Sequence, residues 1–232
     1  MNIEPIAYIH TDLPTKFGLP RQSGIIEELK GRIVFEPPFR DPQAVKGLEG
    51  YSHIWVLWDF SGAHRGKWSA TVCPPRLGGR VHMGVFATRS PFRPNSIGLS
   101  SLRLDGIEIS DKGPVLYVSG IDMMDGTPVY DIKPYIPAYD SHPDAKGGFT
   151  EEIEDADFEV LDPGGLIQGC GLNEDDDRAL KKILMNDPRP RFDLEGGGNS
   201  DRIYGFYYKD LDIRFRVDGS KIIITEIVKS GR

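Results

Sequence analysis

Cysteine is scarce in this 232-residue chain: Cys73 and Cys170 are the two it has, far apart in sequence. A disulfide-built scaffold is thereby excluded, and a cytoplasmic protein is the default expectation. Long apolar runs are lacking too; none approaches the roughly 20 residues that a bilayer-spanning helix needs. Residues 1–10 carry neither a basic segment nor a long apolar stretch, so no secretory signal is expected. The five histidines (His10, His53, His64, His82, His142) are scattered, with no Cys-x-x-Cys or His-x-x-x-His spacing, and no metal is expected. The chain has no Gly-x-Ser-x-Gly elbow, no P-loop and no Gly-x-Gly-x-x-Gly after a strand. A triad hydrolase and the usual cradles for nucleoside triphosphates or dinucleotides are therefore unsupported.

One further absence is local. The chain has 28 basic and 35 acidic residues and a net charge of −7, yet residues 60–104 contain no Asp or Glu. That segment carries seven basic residues (Arg65, Lys67, Arg76, Arg80, Arg89, Arg93, Arg103), leaving the remainder at net −14. A basic face on an acidic protein is an electrostatic footprint for phosphates or carboxylates. Within it, residues 84–104 read Gly-Val-Phe-Ala-Thr-Arg-Ser-Pro-Phe-Arg-Pro-Asn-Ser-Ile-Gly-Leu-Ser-Ser-Leu-Arg-Leu. Its prolines fix φ and restrict the residues before them, so Arg89 and Arg93 sit on a stiff loop. Two guanidiniums held this way suit an anionic ligand.

Glycine and proline, 27 and 18, punctuate short apolar runs. Residues 3–10, 33–35, 53–60, 81–87, 98–109 and 115–122 read as strands, with a hairpin turn at 110–113. Residues 42–48 read as a short helix capped by Asp41 with Pro42 at its first position. Many short strands and no βαβ alternation imply a mainly β protein with some α, its N-terminal domain an antiparallel β-barrel or sandwich. The composition turns polar near residue 140, and a boundary near 145 is expected, giving domains 1–145 and 146–232. The C-terminal domain reads as small and α+β. Residues 174–185 form its helix, capped by Asn173 with acids in the first turn and Lys181 and Lys182 near the last. Residues 203–209, 213–217 and 222–228 read as a small antiparallel sheet, and 194–200 as a mobile loop.

Residues 122–140 place Asp122, Asp125 and Asp131 among tyrosines, prolines and Lys133. Such carboxylates accept hydrogen bonds, offset a cation or take a proton. Taken alone, Asp125-Gly126 reads as a turn and Asp131 as the ion-pair partner of Lys133 or an arginine. Pro20-Arg21-Gln22 and the rigid basic loop 74–80 are further places where backbone and cations can face a ligand.

Taken together, Pro20-Arg21-Gln22, Gly47-Leu48-Glu49 through Ser52-His53-Ile54-Trp55, residues 74–79, residues 84–98, and Asp125-Gly126-Thr127-Pro128 through Asp131-Ile132-Lys133-Pro134-Tyr135 resemble the TsaA-like, or TrmO, family of tRNA adenine N6-methyltransferases. Asp187-Pro188-Arg189-Pro190 and residues 212–217 resemble the C-terminal domain of its bacterial members. The resemblance implies a β-barrel that binds S-adenosylmethionine without a Rossmann sheet. It also implies a homodimer, and methyl transfer to N6 of N6-threonylcarbamoyladenosine beside the tRNA anticodon. By position, Pro20, Arg21, Gln22, Arg89, Leu99, Ser119, Gly120, Ile121 and Asp122 resemble the cofactor contacts. Arg76, Arg80, Arg93 and Lys133 are left for RNA phosphates or the substrate's threonyl carboxylate. Asp125 or Asp131 can serve as a base, and Arg93 or Lys133 can stabilise a developing anion. Residues 61–67 depart from the family: Ser61-Gly62 stands where a histidine often follows the aromatic strand, and His64 comes later. The competing classes are a non-catalytic RNA-binding module and a small-molecule-binding β-barrel.

Overall fold

Period-two alternation of burial builds most of this protein. A computed structural model describes residues 2–64, 66–74, 77, 81–152, 158–189 and 201–231. The first half contains strands β1 (Ala7–Thr11), β2 (Lys30–Phe35), β3 (His53–Asp59), β4 (Thr71–Val72), β5 (Met83–Gly84), β6 (Ile97–Ser110), β7 (Gly113–Ser119) and β8 (Thr127–Pro134). A four-residue helix α1 (Pro137–Asp140) follows; then come β9 (Glu159–Leu161), α2 (Leu166–Gly169), α3 (Glu174–Met185), β10 (Tyr204–Tyr208), β11 (Leu211–Asp218) and β12 (Lys221–Lys229).

Six strands close into a barrel in the order β1-β2-β7-β6-β3-β8, each neighbouring pair antiparallel. Most inward residues are apolar: Ile9, Ile33, Ile54, Val56, Leu102 and Leu116 are fully buried. The ladder pairs Trp58 with Gly98, and the indole lies where a side chain at 98 would go. An alanine Cβ at 98 would stand 2.6 Å from Trp58 Cδ2 and Cζ2. The ring cannot swing aside freely, because Trp58 Nε1 donates to Ser100 Oγ at 2.9 Å. We expect Gly98→Ala to destabilise the protein by about 3 kcal/mol, the upper range for overpacking. A urea midpoint unchanged from wild type would contradict this.

The C-terminal sheet runs β10-β11-β12-β9. Its edge strand β9 pairs parallel with β12, so the sheet is mixed where a purely antiparallel one was expected. Helix α3 lays Ala179, Leu180, Ile183 and Leu184 against the core, and Asn173 caps it by accepting from the Asp176 N–H at 2.9 Å. Its acidic first turn and Lys182 reach the barrel side: Lys30–Asp175 at 2.8 Å and Lys182–Glu28 at 2.6 Å.

Three further expectations change. Residues 81–87 are not one strand: β5 has two residues, and Val85–Ala87 is a single 3-10 turn. Residues 42–48 give a 3-10 turn over Pro42–Val45 instead of an α-helix, although Asp41 does cap it by accepting from the Gln43 N–H at 2.9 Å. Strand β8, unforeseen in the sequence, closes the barrel. The prolines Pro128 and Pro134 stand near its two ends, positions that strands tolerate. Both cysteines are free. The 194–200 loop, Arg65, Arg76 and Arg80 lie outside the described residues.

Candidate functional site

Three distant parts of the chain meet where β7 leaves the barrel. Gly120, at φ +72°, turns the backbone there, accepts from the Gly24 N–H at 2.8 Å and donates to Leu29 O at 2.9 Å. This clamps the connection between β1 and β2 to the strand end; a Cβ on Gly120 would stand 3.2 Å from the Gly24 backbone. Gln22 is brought over in this way, and its Oε1 accepts from Arg89 Nη1. Its Nε2 donates to Arg21 O at 2.6 Å. Arg89 arrives from the stiff loop between β5 and β6.

Asp122 completes the group. Its Oδ1 accepts from Ser100 Oγ at 2.7 Å, and Ser100 in turn accepts from the Trp58 indole. Burial pushes the Asp122 carboxyl up to about 6, against the Ser100 hydroxyl, the backbone N–H groups of Asp122 and Ser23, and the Arg89 charge, which all favour ionisation. Between about pH 4, where an unfolded aspartate titrates, and about pH 6, the folded chain holds a proton that the unfolded chain has lost. Stability contributed by this group therefore falls as pH rises through that window. We expect the stability difference between wild type and Asp122→Asn to move by about 1–3 kcal/mol in the variant's favour from pH 4 to pH 7. Parallel urea curves at the two pH values would remove Asp122 as a titrating group.

The remaining cofactor candidates divide. Pro20 is buried and supports the loop that carries Arg21 and Gln22; Arg21 is exposed. Ile121 is core at 1 % exposure. Ser119 turns away and donates to Asp105 at 3.1 Å, on the wall of a cleft of about 480 Å³ between the barrel and α3. Leu99 is 54 % exposed and lies on the outer barrel face, because β6 alternates and Ser100 takes the inward position. The structure does not bring Leu99 to the Arg89–Asp122 group within one chain.

The candidates for chemistry lie in three places. Arg93, which donates to Thr88 O at 3.4 Å, lines a cleft of about 670 Å³. That cleft also holds Asp59, paired with His64 Nε2 at 2.7 Å, and Tyr130. Burial and neighbouring Asp59 raise the Tyr130 phenol. Asp125 sits at the turn before β8, accepting from the Thr11 N–H at 3.1 Å beside His10 Nδ1 at 3.3 Å. Asp131 and Lys133 form an ion pair at 2.9 Å on β8. They lie opposite Leu57 and Trp55 in the ladder and so share their outward face. Asp125 at its turn meets His10, and Asp131 on the strand meets Lys133, so the two carboxylates have separate partners and do not form one acid–base pair.

Sequence reasoning passed over Ser100, Ser23, and the contact between Asp59 and Tyr130. A signal existed for the first: Ser100 is a polar residue at an inward register position between Gly98 and Leu102. Among the described residues, no three His, Cys, Asp or Glu side chains converge as a metal site, and no helix is long and apolar enough to cross a membrane.

Known proteins match this arrangement along nearly its whole length. Residues 8–141 match the tRNA-methyltransferase O N-terminal domain and residues 172–230 the TrmO C-terminal domain. The Escherichia coli K12 protein named tRNA (adenine(37)-N6)-methyltransferase is 36 % identical over 218 residues, 92 % of each chain. A Pseudomonas aeruginosa protein named putative S-adenosylmethionine-dependent methyltransferase RcsF is 38 % identical over 99 % of this chain and 98 % of its own. The crystal structure of TrmO from Pseudomonas aeruginosa superposes with a TM-score of 0.77 at 32 % identity, covering 99 % of this chain and 97 % of that one. With its six-stranded barrel, its mixed C-terminal sheet and both domain matches in sequence, the chain belongs to the tRNA-methyltransferase O family.

Proposed function

We propose that this protein transfers a methyl group from S-adenosylmethionine to N6 of adenine 37 of tRNA, the activity that the Escherichia coli relative is named for. We further propose that the adenine is the N6-threonylcarbamoyl form. The observation that carries the reading is the convergence of Arg89, Gln22 and Asp122 from three separate segments.

That donor set fits an amino-acid zwitterion bearing a nucleoside. Arg89, steadied by Gln22, offers a guanidinium to a carboxylate. Ionised Asp122 offers its oxygens to an ammonium or to ribose hydroxyls. When bound, the cofactor supplies an electrophilic sulfonium methyl, so the protein's main task is in-line alignment. The target nitrogen is flanked by a purine and a carbonyl, and its lone pair is delocalised until its proton leaves. To Arg93, which lines the 670 Å³ cleft together with Lys67, we assign stabilisation of that developing anion. Asp125, exposed at its turn, is the carboxylate open to take a proton. Asp131 and Lys133 neutralise each other and serve RNA contact more readily than chemistry. Lys67, from the basic segment 60–104, faces the phosphates. Exposed Leu99 and its half-buried ladder partner Leu57 form an apolar patch on the outer barrel face that a second copy would cover in a homodimer, and a mass from light scattering tests that assembly.

The decisive assay mixes purified protein with methyl-labelled S-adenosylmethionine and tRNA carrying or lacking the threonylcarbamoyl group. Label on the modified tRNA alone is expected. Label on both would overturn the finer substrate assignment. Cofactor binding without RNA methylation would favour a small-molecule barrel, and RNA binding without cofactor affinity a non-catalytic RNA module.

A further inference from the structure

The basic segment carries two aromatic rings that packing does not require. Trp68 is 51 % exposed and Phe86 72 % exposed. Their rings lie 6.4 Å apart between centroids and within 24° of parallel. They are held in place, not left to collapse. Val85, 1 % exposed, anchors the 3-10 turn that bears Phe86, and its N–H donates to Ala70 O at 2.9 Å. The β4–β5 pairing Thr71↔Gly84 and Val72↔Met83 ties the two segments again, and the Ser69 N–H donates to Phe92 O at 3.3 Å. Leaving two large rings in water on a fixed support has a cost in a lone chain, and it marks a recognition surface.

The surroundings identify the occupant. No acidic residue occurs in residues 60–104, and Lys67 precedes Trp68 directly. Lys67, Trp68, Arg93 and Asn95 border the same cleft. Cations beside sequence-tolerant aromatic faces are the combination that grips single-stranded nucleic acid. Position agrees as well. Only three residues lead from Phe86 to Arg89, a span of at most about 11 Å, which is the length of about three stacked bases at 3.4 Å each.

We propose that Trp68 and Phe86 form a stacking platform for an unpaired base of the RNA, within about three nucleotides of the adenine that receives the methyl group. The placement relative to the methylated base rests on the function proposed above; the stacking itself does not. Unpaired bases have two open π-faces and are the features of folded RNA that proteins read by stacking. The platform fixes the register of the loop, while Lys67, which borders the same cleft, holds its phosphates.

The test uses the full-length protein, a short uridine ribo-oligonucleotide and a tRNA transcript, with binding read by fluorescence anisotropy. Trp68→Ala and Phe86→Ala are each expected to weaken oligonucleotide binding about tenfold without altering the slope of log affinity against log salt. Trp68→Phe should restore most of the loss. Lys67→Ala should instead shallow that slope by about 0.7, the value of one single-strand phosphate contact. Affinity for S-adenosylmethionine, measured separately, should be wild-type in Trp68→Ala. Wild-type oligonucleotide affinity in both alanine variants overturns the platform, even if methyl transfer is intact. A halved solution mass with unchanged RNA affinity would also overturn it and assign the rings to contact between copies. Loss of stacking in a protein that methylates no tRNA would keep the platform and discard only the enzymatic reading.

Discussion

Arg89→Ala is expected to weaken S-adenosylmethionine binding by about a hundredfold or more. Truncating one member of a hydrogen-bonded charge cluster typically costs 2–5 kcal/mol, and each 1.4 kcal/mol is about tenfold. Two losses combine here. The ligand's carboxylate loses its guanidinium, and Asp122 loses the positive charge that helps keep it ionised against burial. The variant's binding should therefore fall off at a higher pH than wild type's, because its Asp122 protonates earlier. Gln22 is left with an unpaired amide oxygen, so Gln22→Ala should weaken binding less, through Arg89 placement alone. Arg89→Lys should recover only part of the loss, since an ammonium cannot reproduce the guanidinium's planar fork. Titration calorimetry across about pH 5 to pH 8, the range that brackets the carboxyl, would decide the matter. An Arg89→Ala affinity indistinguishable from wild type would place the cofactor elsewhere.

Arg189→Met is expected to destabilise the protein by about 3–5 kcal/mol, as breaking a buried ion pair from one side does. Arg189 and Asp187 make two parallel hydrogen bonds of 2.7 Å, with side chains only 9 % and 5 % exposed. The guanidinium also lies 5.5 Å from the Phe158 ring centre and 5.9 Å from that of Tyr204. It thereby joins the end of α3 to β10 and to the segment before β9. Removing it strands a carboxylate on a residue already held at φ +52°. In a chain of this size the loss corresponds to about 10 °C in melting temperature. Asparagine tolerates the left-handed region, so Asp187→Asn combined with Arg189→Met should recover much of the loss by removing the stranded charge. A double variant as unstable as Arg189→Met alone would show that the cost comes from lost packing rather than an uncompensated charge.

Much of the fold was legible because its signals are local. Asn173, four acids and two lysines mark α3 end to end, since a cap and the helix dipole act within one turn. The 110–113 turn and the long strand before it follow from alternation and turn chemistry. Strand β8 was obscured because Pro128, Pro134 and the Asp131–Lys133 pair resemble loop composition, and only its neighbours β1 and β3 make it a strand. The run 81–87 looked like a strand because its last three residues, Val85 to Ala87, are too few to separate periods of two and three.

The candidate site divides in the same way. Arg89 and Arg93 were visible as cations on a proline-stiffened loop, and the acid-free window around them is a property of sequence alone. Their separation into different places was not visible: Arg89 turns to Gln22, whereas Arg93 turns into the cleft with Asp59 and Tyr130. The Ser100 hydroxyl that holds Asp122 reads in sequence as one serine in a Ser-Ser pair. Sequence alone determined where charge, stiffness and strand alternation lie, because these depend on residues within a few positions of each other. Tertiary structure alone decided that positions 22, 89, 100 and 122 meet and that Leu99 faces outward. Those outcomes depend on barrel closure, which sets register between strands far apart in the chain and has no local signature.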